Sequence, residues 1–260
     1  MATLTGPHAD RVMRVRELLT VKGRKEHGRF AFEGPTLLDE ALRSGIPIEE
    51  LYVSEGILAA NTTVRDLDAA GTPVYVIDDR TARKISDLET PTGLVAVARQ
   101  AAHSLTGLLR GRLTLVLADL NDPGNVGTLL RSAEAFGASG VVLGSLGVDP
   151  YHPKVVRAAM GSIFRLPLAV ASAAEFGAAA TAAGATVVGL AAGGPALPTV
   201  TPGTATALLV GHERRGLGSW ETVDTILAGI PMRGALDSLN AAVAGSIGLY
   251  VLAEALSRES

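Results

Sequence analysis

Residues 113–143 read LTLVLADLNDPGNVGTLLRSAEAFGASGVVL, and this stretch decides the fold. Leu113-Thr-Leu-Val-Leu-Ala118 is apolar without polar alternation, the pattern of a strand covered on both faces. After the Asp122-Pro-Gly124 break, Val126, Leu130, Ala133 and Phe136 recur at helical spacing and predict a helix over Val126–Phe136. Gly140–Leu143 is a second buried-strand candidate. Strand, helix and strand in succession are the unit of an α/β fold with a parallel sheet. The pattern continues downstream, with strands expected at Thr186–Leu190 and Ala207–Val210 and helices at Pro153–Gly161 and Ser172–Ala183.

Upstream the texture is a smaller α/β alternation. Val12, Val15, Leu18 and Leu19 predict one helix over Arg11–Lys22, and Phe30–Phe32 is a short strand candidate. Pro35 suits the first turn of a helix running to Leu42. Strands follow at Glu50–Ser54, Val74–Ile77 and Leu94–Ala98, with a helix at Val64–Ala70. Residues 101–112 lack a strong pattern and are expected to be a linker between a first domain, 1–100, and a second, 113–260.

Composition narrows the chemistry. Hydrophobic residues make up 47% of the chain and aromatics 4%, so the cores must be built from Leu, Val, Ile and Ala. With no cysteine, disulfides, thiolate zinc sites and cysteine nucleophiles are excluded, and no metal is expected. Met1–Arg16 has no apolar segment of signal-peptide length. Phe176–Gly211 is uncharged but broken by glycines and prolines, and Ala241–Ala253 is too short to span a bilayer before Glu254. A soluble cytoplasmic protein is expected. The net charge of −3 hides a basic stripe from Asp10 to Arg29, which is either a solvated helix face or a phosphate contact.

Three segments at the carboxyl ends of predicted strands carry candidate chemistry, where open α/β sheets bind ligands. The first runs from Asp119 to Arg131; Asn125 suits a helix N-cap, and Arg131 has an i,i+3 partner in Glu134. The second is Gly211-His-Glu213-Arg-Arg-Gly216, a glycine-bracketed turn holding one carboxylate. The third is Ile230-Pro-Met232 followed by Ser238-Leu239-Asn240, where Ser238 suits the cap of a helix running to about Glu259. Neither a phosphate loop nor the G-x-G-x-x-G dinucleotide fingerprint is present, so an adenosine cofactor would not be held in the Rossmann manner.

Together these segments resemble the SpoU/TrmH family of RNA 2′-O-ribose methyltransferases, within the SPOUT superfamily. Asn125, Gly127 and Arg131 match its N-x-G-x-x-x-R motif. Gly211, Glu213 and Gly216 match G-x-E-x-x-G, and Ile230-Pro-Met232 with Ser238-Leu239-Asn240 matches the third motif. Lys154–Pro167 looks like the family's intervening helix, and Arg24–Leu42 is similar to the start of a ribosomal-protein-like RNA substrate-binding domain. The resemblance implies a deep trefoil knot, S-adenosylmethionine as cofactor and a homodimer. It implies methyl transfer to a ribose 2′-hydroxyl of ribosomal RNA, with transfer RNA, or a noncatalytic RNA-binding protein retaining the fold, as the alternative. By carry-over Asn125, Arg131, Glu213, Ser238 and Asn240 fall on catalytic positions, and Gly211, Ile230, Met232 and Leu239 on cofactor positions. The basic stripe acquires an RNA contact through Arg24, Lys25 and Arg29. His212, where many relatives have a small polar residue, and Arg214-Arg215 make the second turn unusually basic.

Overall fold

A computed structural model describes residues 2–192, 194–212, 215–222, 224–234 and 238–258. The chain divides into two compact units, Met1–Gln100 with Tyr151–Phe164, and Ala101–Pro150 with Arg165–Ser260.

In the first unit the elements are β1 (Thr3–Leu4), α1 (Asp10–Glu17), α2 (Val21–His27), β2 (Arg29–Glu33), α3 (Pro35–Arg43) and β3 (Glu50–Val53). They continue through α4 (Glu55–Ala60), α5 (Thr62–Ala69), β4 (Val74–Val76), α6 (Asp79–Ile85) and β5 (Leu94–Arg99). The sheet order is β1-β4-β3-β5-β2, with β1, β4 and β3 parallel and β5 antiparallel to both its neighbours. The single helix expected over Arg11–Lys22 is two. Thr20 breaks it, its side chain accepting from Gly23 N at 3.1 Å to cap α2 while its hydroxyl donates to Glu17 O. Tyr151–Phe164 joins this unit through aromatic packing, Phe30 on Tyr151 at 4.6 Å and Phe32 on Phe164 at 5.1 Å between centroids. Arg157 adds a two-pronged pair to Asp87 at 2.5 and 2.9 Å.

The second unit begins inside the expected linker. There α7 (Leu105–Leu109), capped by Ser104, buries Leu108 and Leu109, and Leu108 O accepts from Thr114 Oγ1. The chain continues through β6 (Leu113–Leu117), α8 (Pro123–Ala135) and β7 (Gly140–Gly144), then passes through the first unit as α9 (Pro153–Ala159) and most of α10 (Ser162–Arg165). It ends with β8 (Leu168–Ala171), α11 (Ala173–Ala183), β9 (Thr186–Leu190), β10 (Thr206–Val210), β11 (Ile226–Ala228) and α12 (Ala241–Arg258). Six strands form one wholly parallel sheet in the order β11-β9-β10-β6-β7-β8. Strands β8 and β11 are additions to the expected set; four and three residues long, they sit at the two sheet edges and leave little pattern.

Strand side chains alternate between two helical layers. Val116, Ala118, Ala207 and Leu209 share a core with Leu108, Leu109, Phe176 and Trp220, the layer of α7 and α11. On the other face α12 lies against α8 and β10. It comes close because it carries glycines there: a Cβ on Gly245 would stand 2.5 Å from Leu129 Cδ2, and one on Gly248 2.9 Å from Leu208 Cδ2. Covering both faces explains why these strands read as unbroken apolar runs.

Candidate active site

The site is assembled where two helices begin. Asp122 caps α8, its Oδ1 accepting from Asn125 N at 2.7 Å, with Pro123 in the first turn. Asn125 is therefore not the cap but sits inside the first turn. The cap of α12 is likewise displaced from Ser238. Asn240 Oδ1 accepts from Ala242 N at 2.9 Å and Val243 N at 3.2 Å. An asparagine amide has a second end that a serine hydroxyl lacks, and Asn240 Nδ2 donates to Asn125 Oδ1 at 3.1 Å. One side chain thus ends a loop, starts a helix and ties it to the first turn of another. Farther along, Ser132 and Ser246 hydroxyls meet at 2.7 Å, a second bond between α8 and α12.

Arg131 is exposed on α8. Its expected partner Glu134 is instead engaged by Arg165, whose Nη2 donates to Oε2 at 3.1 Å. Among the described residues no hydrogen bond or ion pair holds the Arg131 guanidinium. A planar five-donor cation left open in this way is suited to a phosphate or a developing oxyanion.

Beside these helix starts, a cleft of about 730 Å³, counting the open space at its mouth, lies at the carboxyl ends of β9, β10 and β11. Gly211, Ile230, Met232 and Leu239, all expected at a cofactor, line it together with Ser238 and His212. Leu190, Val210 and Ala241 complete an apolar wall. The Gly211 turn is tight: His212 and Gly216 exchange backbone bonds at 3.0 and 2.9 Å, and a Cβ on Gly211 would lie 2.5 Å from the Gly216 carbonyl carbon. Glu213 and Arg214 lie outside the described residues.

Asp119, just beyond β6, adopts a left-handed backbone with φ of 53°. That conformation costs a non-glycine residue about 1–2 kcal/mol, less for Asp, whose short side chain bonds locally. Both its oxygens are used: Oδ1 accepts from Leu146 N at 3.1 Å and Oδ2 from Trp220 Nε1 at 2.8 Å.

The expected RNA contacts of the first unit are redistributed. Arg24 is fully buried and its Nη1 donates to Leu18 O at 2.8 Å, so it supports the break between α1 and α2 and cannot reach RNA. Arg29 pairs with Glu49, which also holds Arg99. The hydrogen bond that Arg29 donates to Glu49 raises the Arg29 pKa. Burial alone would raise the Glu49 pKa, yet its bonds from the two arginines outweigh that and leave it lowered. Lys25 remains exposed. Among residues the sequence reading passed over, Asp122 carried a legible signal, an Asp-Pro start to a helix. Asp119 and Trp220, a hundred and one residues apart, carried none.

Comparison with known proteins accords with this geometry. The signature of the SpoU rRNA Methylase family matches residues 112–250, and that of an MRM3-like substrate binding domain matches residues 9–96. The 23S rRNA (guanosine(2553)-2′-O)-methyltransferase RlmP of Bacillus subtilis is 30% identical over 240 residues, covering 91% of this chain and 93% of that protein. The S-adenosylmethionine-bound rRNA methyltransferase of Sinorhizobium meliloti superposes with a TM-score of 0.84 at 30% identity, over 96% of this chain and 98% of that one. The SpoU methyltransferase AviRb of Streptomyces viridochromogenes, also bound to S-adenosylmethionine, does so at 0.83 and 28%, over 97% and 99%. The chain belongs to the SpoU rRNA methylase family. It is an S-adenosylmethionine-dependent RNA 2′-O-methyltransferase.

Proposed function

We propose that the chain methylates a ribose of ribosomal RNA, that its first unit engages the RNA, and that Arg131 acts on the reacting ribose. The observation that carries the proposal is the convergence of three distant segments on one sheet end. The open guanidinium of Arg131 and the Asn125–Asn240 bond lie on helices that start beside the cleft lined by Gly211, Ile230 and Leu239. That cleft fits S-adenosylmethionine by its lining, which joins apolar walls to the backbone of a glycine turn. Gly211, Ile230, Met232 and Leu239 would hold the cofactor, which when bound supplies an electrophilic methyl group.

The chain's own residues prepare the nucleophile. A guanidinium keeps its proton throughout the working pH range, so Arg131 is no base. It stabilises the charge that develops on the ribose O2′ and grips a neighbouring phosphate with its fork of donors. Ser238 and Glu213 orient the ribose, while Asn125 and Asn240 keep the two helix starts in register. Arg131→Ala should lower methyl transfer at least about a hundredfold while the affinity for S-adenosylmethionine, read by calorimetry, stays within a few-fold. Wild-type turnover in that variant would remove Arg131 from the mechanism.

Ribosomal RNA is favoured over transfer RNA by the substrate-binding domain at residues 9–96. One relative is a guanosine and another a uridine 2′-O-methyltransferase, so the family does not fix the nucleotide. Methyl transfer to total RNA followed by mapping of the 2′-O-methylated position tests both points; a transfer RNA product would overturn the choice. The C-terminal segment is proposed to form a trefoil knot, supported by β11 lying outside β9 while α12 returns across β10 and β6. The functional form is proposed to be a cytoplasmic homodimer. Support comes from Val243 and Tyr250, exposed on α12, with Phe136 packed on the Tyr250 ring at 5.6 Å. By length and composition α12 could cross a membrane, but Gly245, Leu249, Leu252 and Leu256 are buried within the second unit. Tyr250→Glu should shift the sedimentation coefficient to that of a monomer.

A further inference from the structure

The geometry points to Asp119 as a positioning residue that couples the Arg131 half of the site to the cofactor half through the indole of Trp220. Asp119 opens the connection from β6 to α8, the helix that carries Asn125 and Arg131. Its Oδ2 accepts from Trp220 Nε1 at 2.8 Å, and Trp220 closes the segment that begins with the Gly211–Gly216 turn of the cleft wall. The indole is 2% exposed and packed on Phe176 at 5.6 Å, so its N–H is aimed at one partner. The other oxygen takes Leu146 N at 3.1 Å, and Leu120 O takes Val148 N at 2.8 Å, which fixes the loop leaving β7 to the same turn.

Space is arranged around this carboxylate. A Cβ on Gly144 would stand 2.2 Å from Asp119 Oδ1, and one on Gly147 2.7 Å from Leu120 O. The left-handed backbone at Asp119 aims the side chain across the sheet end, where an extended residue at the same point would follow the strand. Between Gly211 and Trp220, Leu217 is buried over β9, a Cβ on Gly189 reaching to 2.5 Å from its Cδ1. The turn is thus held at both ends, by β10 on one side and by Leu217 and Trp220 on the other. The inference rests on the reading of Gly211, His212 and Gly216 as a wall of the cofactor cleft.

The test uses the full chain and its single tryptophan, whose fluorescence reports on this bond directly. Asp119→Gly keeps the left-handed turn, which glycine adopts freely, and removes the carboxylate. Asp119→Asn keeps the turn and one acceptor oxygen for the indole. Asp119→Gly should red-shift the Trp220 emission without ligand and raise the calorimetric Kd for S-adenosylmethionine about tenfold, the equivalent of one buried charge-assisted hydrogen bond. Asp119→Asn should remain within about threefold. Trp220→Phe should raise the Kd as Asp119→Gly does, and combining the two should add nothing, as expected of one shared interaction. Additive losses, or unchanged emission and affinity in Asp119→Gly, would overturn the coupling. A wild-type chain that bound no S-adenosylmethionine would overturn the cofactor reading beneath it as well. Circular dichroism accompanies each variant; if Asp119→Gly does not fold, Asp119→Asn against Trp220→Phe carries the same comparison, and equal affinities in those two would overturn it.

Discussion

Arg24, Arg29 and Arg157 of the first unit and Arg131 of the second are treated in opposite ways. In the first, Arg24 is buried on Leu18 O, Arg29 and Arg99 share Glu49, and Arg157 is clamped to Asp87. In the second, Arg131 stands exposed on α8, its nearest sequence candidate Glu134 drawn away by Arg165. Two members of the basic stripe, Arg24 and Arg29, are held in structural pairing, while Lys25 stays exposed. The single arginine four residues after Gly127 is the one proposed to act on the ribose. Which cation is open to an anion is decided by the acids that tertiary folding brings within reach.

The contrast can be broken from either side. The largest effect is expected at the open cation. Arg131→Lys keeps the charge and loses the planar fork, so kcat should still fall by about tenfold or more in a methyl-transfer assay. Recovery of full rate would reduce Arg131 to a point charge. Next comes the buried cation: Arg24→Ala should destabilise the protein by about 2 kcal/mol, from lost packing and an unpaired Leu18 carbonyl, read as a lower urea midpoint. Unchanged stability there would dissolve the distinction between the units. Asn240→Ala removes the α12 cap and its bond to Asn125, for a loss of about 1 kcal/mol together with a reduced kcat. Asn240→Ser should restore the cap and not the bond, which separates the two roles.

The smallest effect concerns Glu49. Its folded pKa is lowered, so the stability it contributes is present above the ordinary carboxylate range and is lost as pH falls through the folded pKa. Because Arg29 is partly and Arg99 largely exposed, Glu49→Gln should cost only about 0.5 kcal/mol at neutral pH. The urea midpoints of wild type and variant should converge as pH falls through the carboxylate range. A gap independent of pH would mean that the pair acts through packing and not charge.

The parallel sheet was legible because strands covered on both faces must be apolar throughout, and Leu113–Leu117, Thr186–Leu190 and Thr206–Val210 show it. The edge strands β8 and β11 were not, because short segments leave too little pattern to separate from loop. Residues 101–112 read as a linker because α7 is short, and only the buried Leu108 and Leu109 reveal it as core. Tyr151–Phe164 is contiguous in sequence with the second unit, yet its aromatics meet Phe30 and Phe32 in the first. No local pattern encodes such a choice.

For the site, sequence alone determined the residue types and their order: Asn125, Gly127 and Arg131, then Gly211, then Ile230, Met232, Ser238, Leu239 and Asn240. Their chemistry and spacing are covalent properties of the chain. Tertiary structure decided which polar groups face each other. It made Asp122 and Asn240 the caps in place of Asn125 and Ser238, and turned Asn240 into a bridge to Asn125. It withdrew Glu134 from Arg131 and set Asp119 against Trp220. A cap or an ion pair is won by whichever candidate the packing brings to within hydrogen-bonding distance, and sequence lists the candidates without giving those distances.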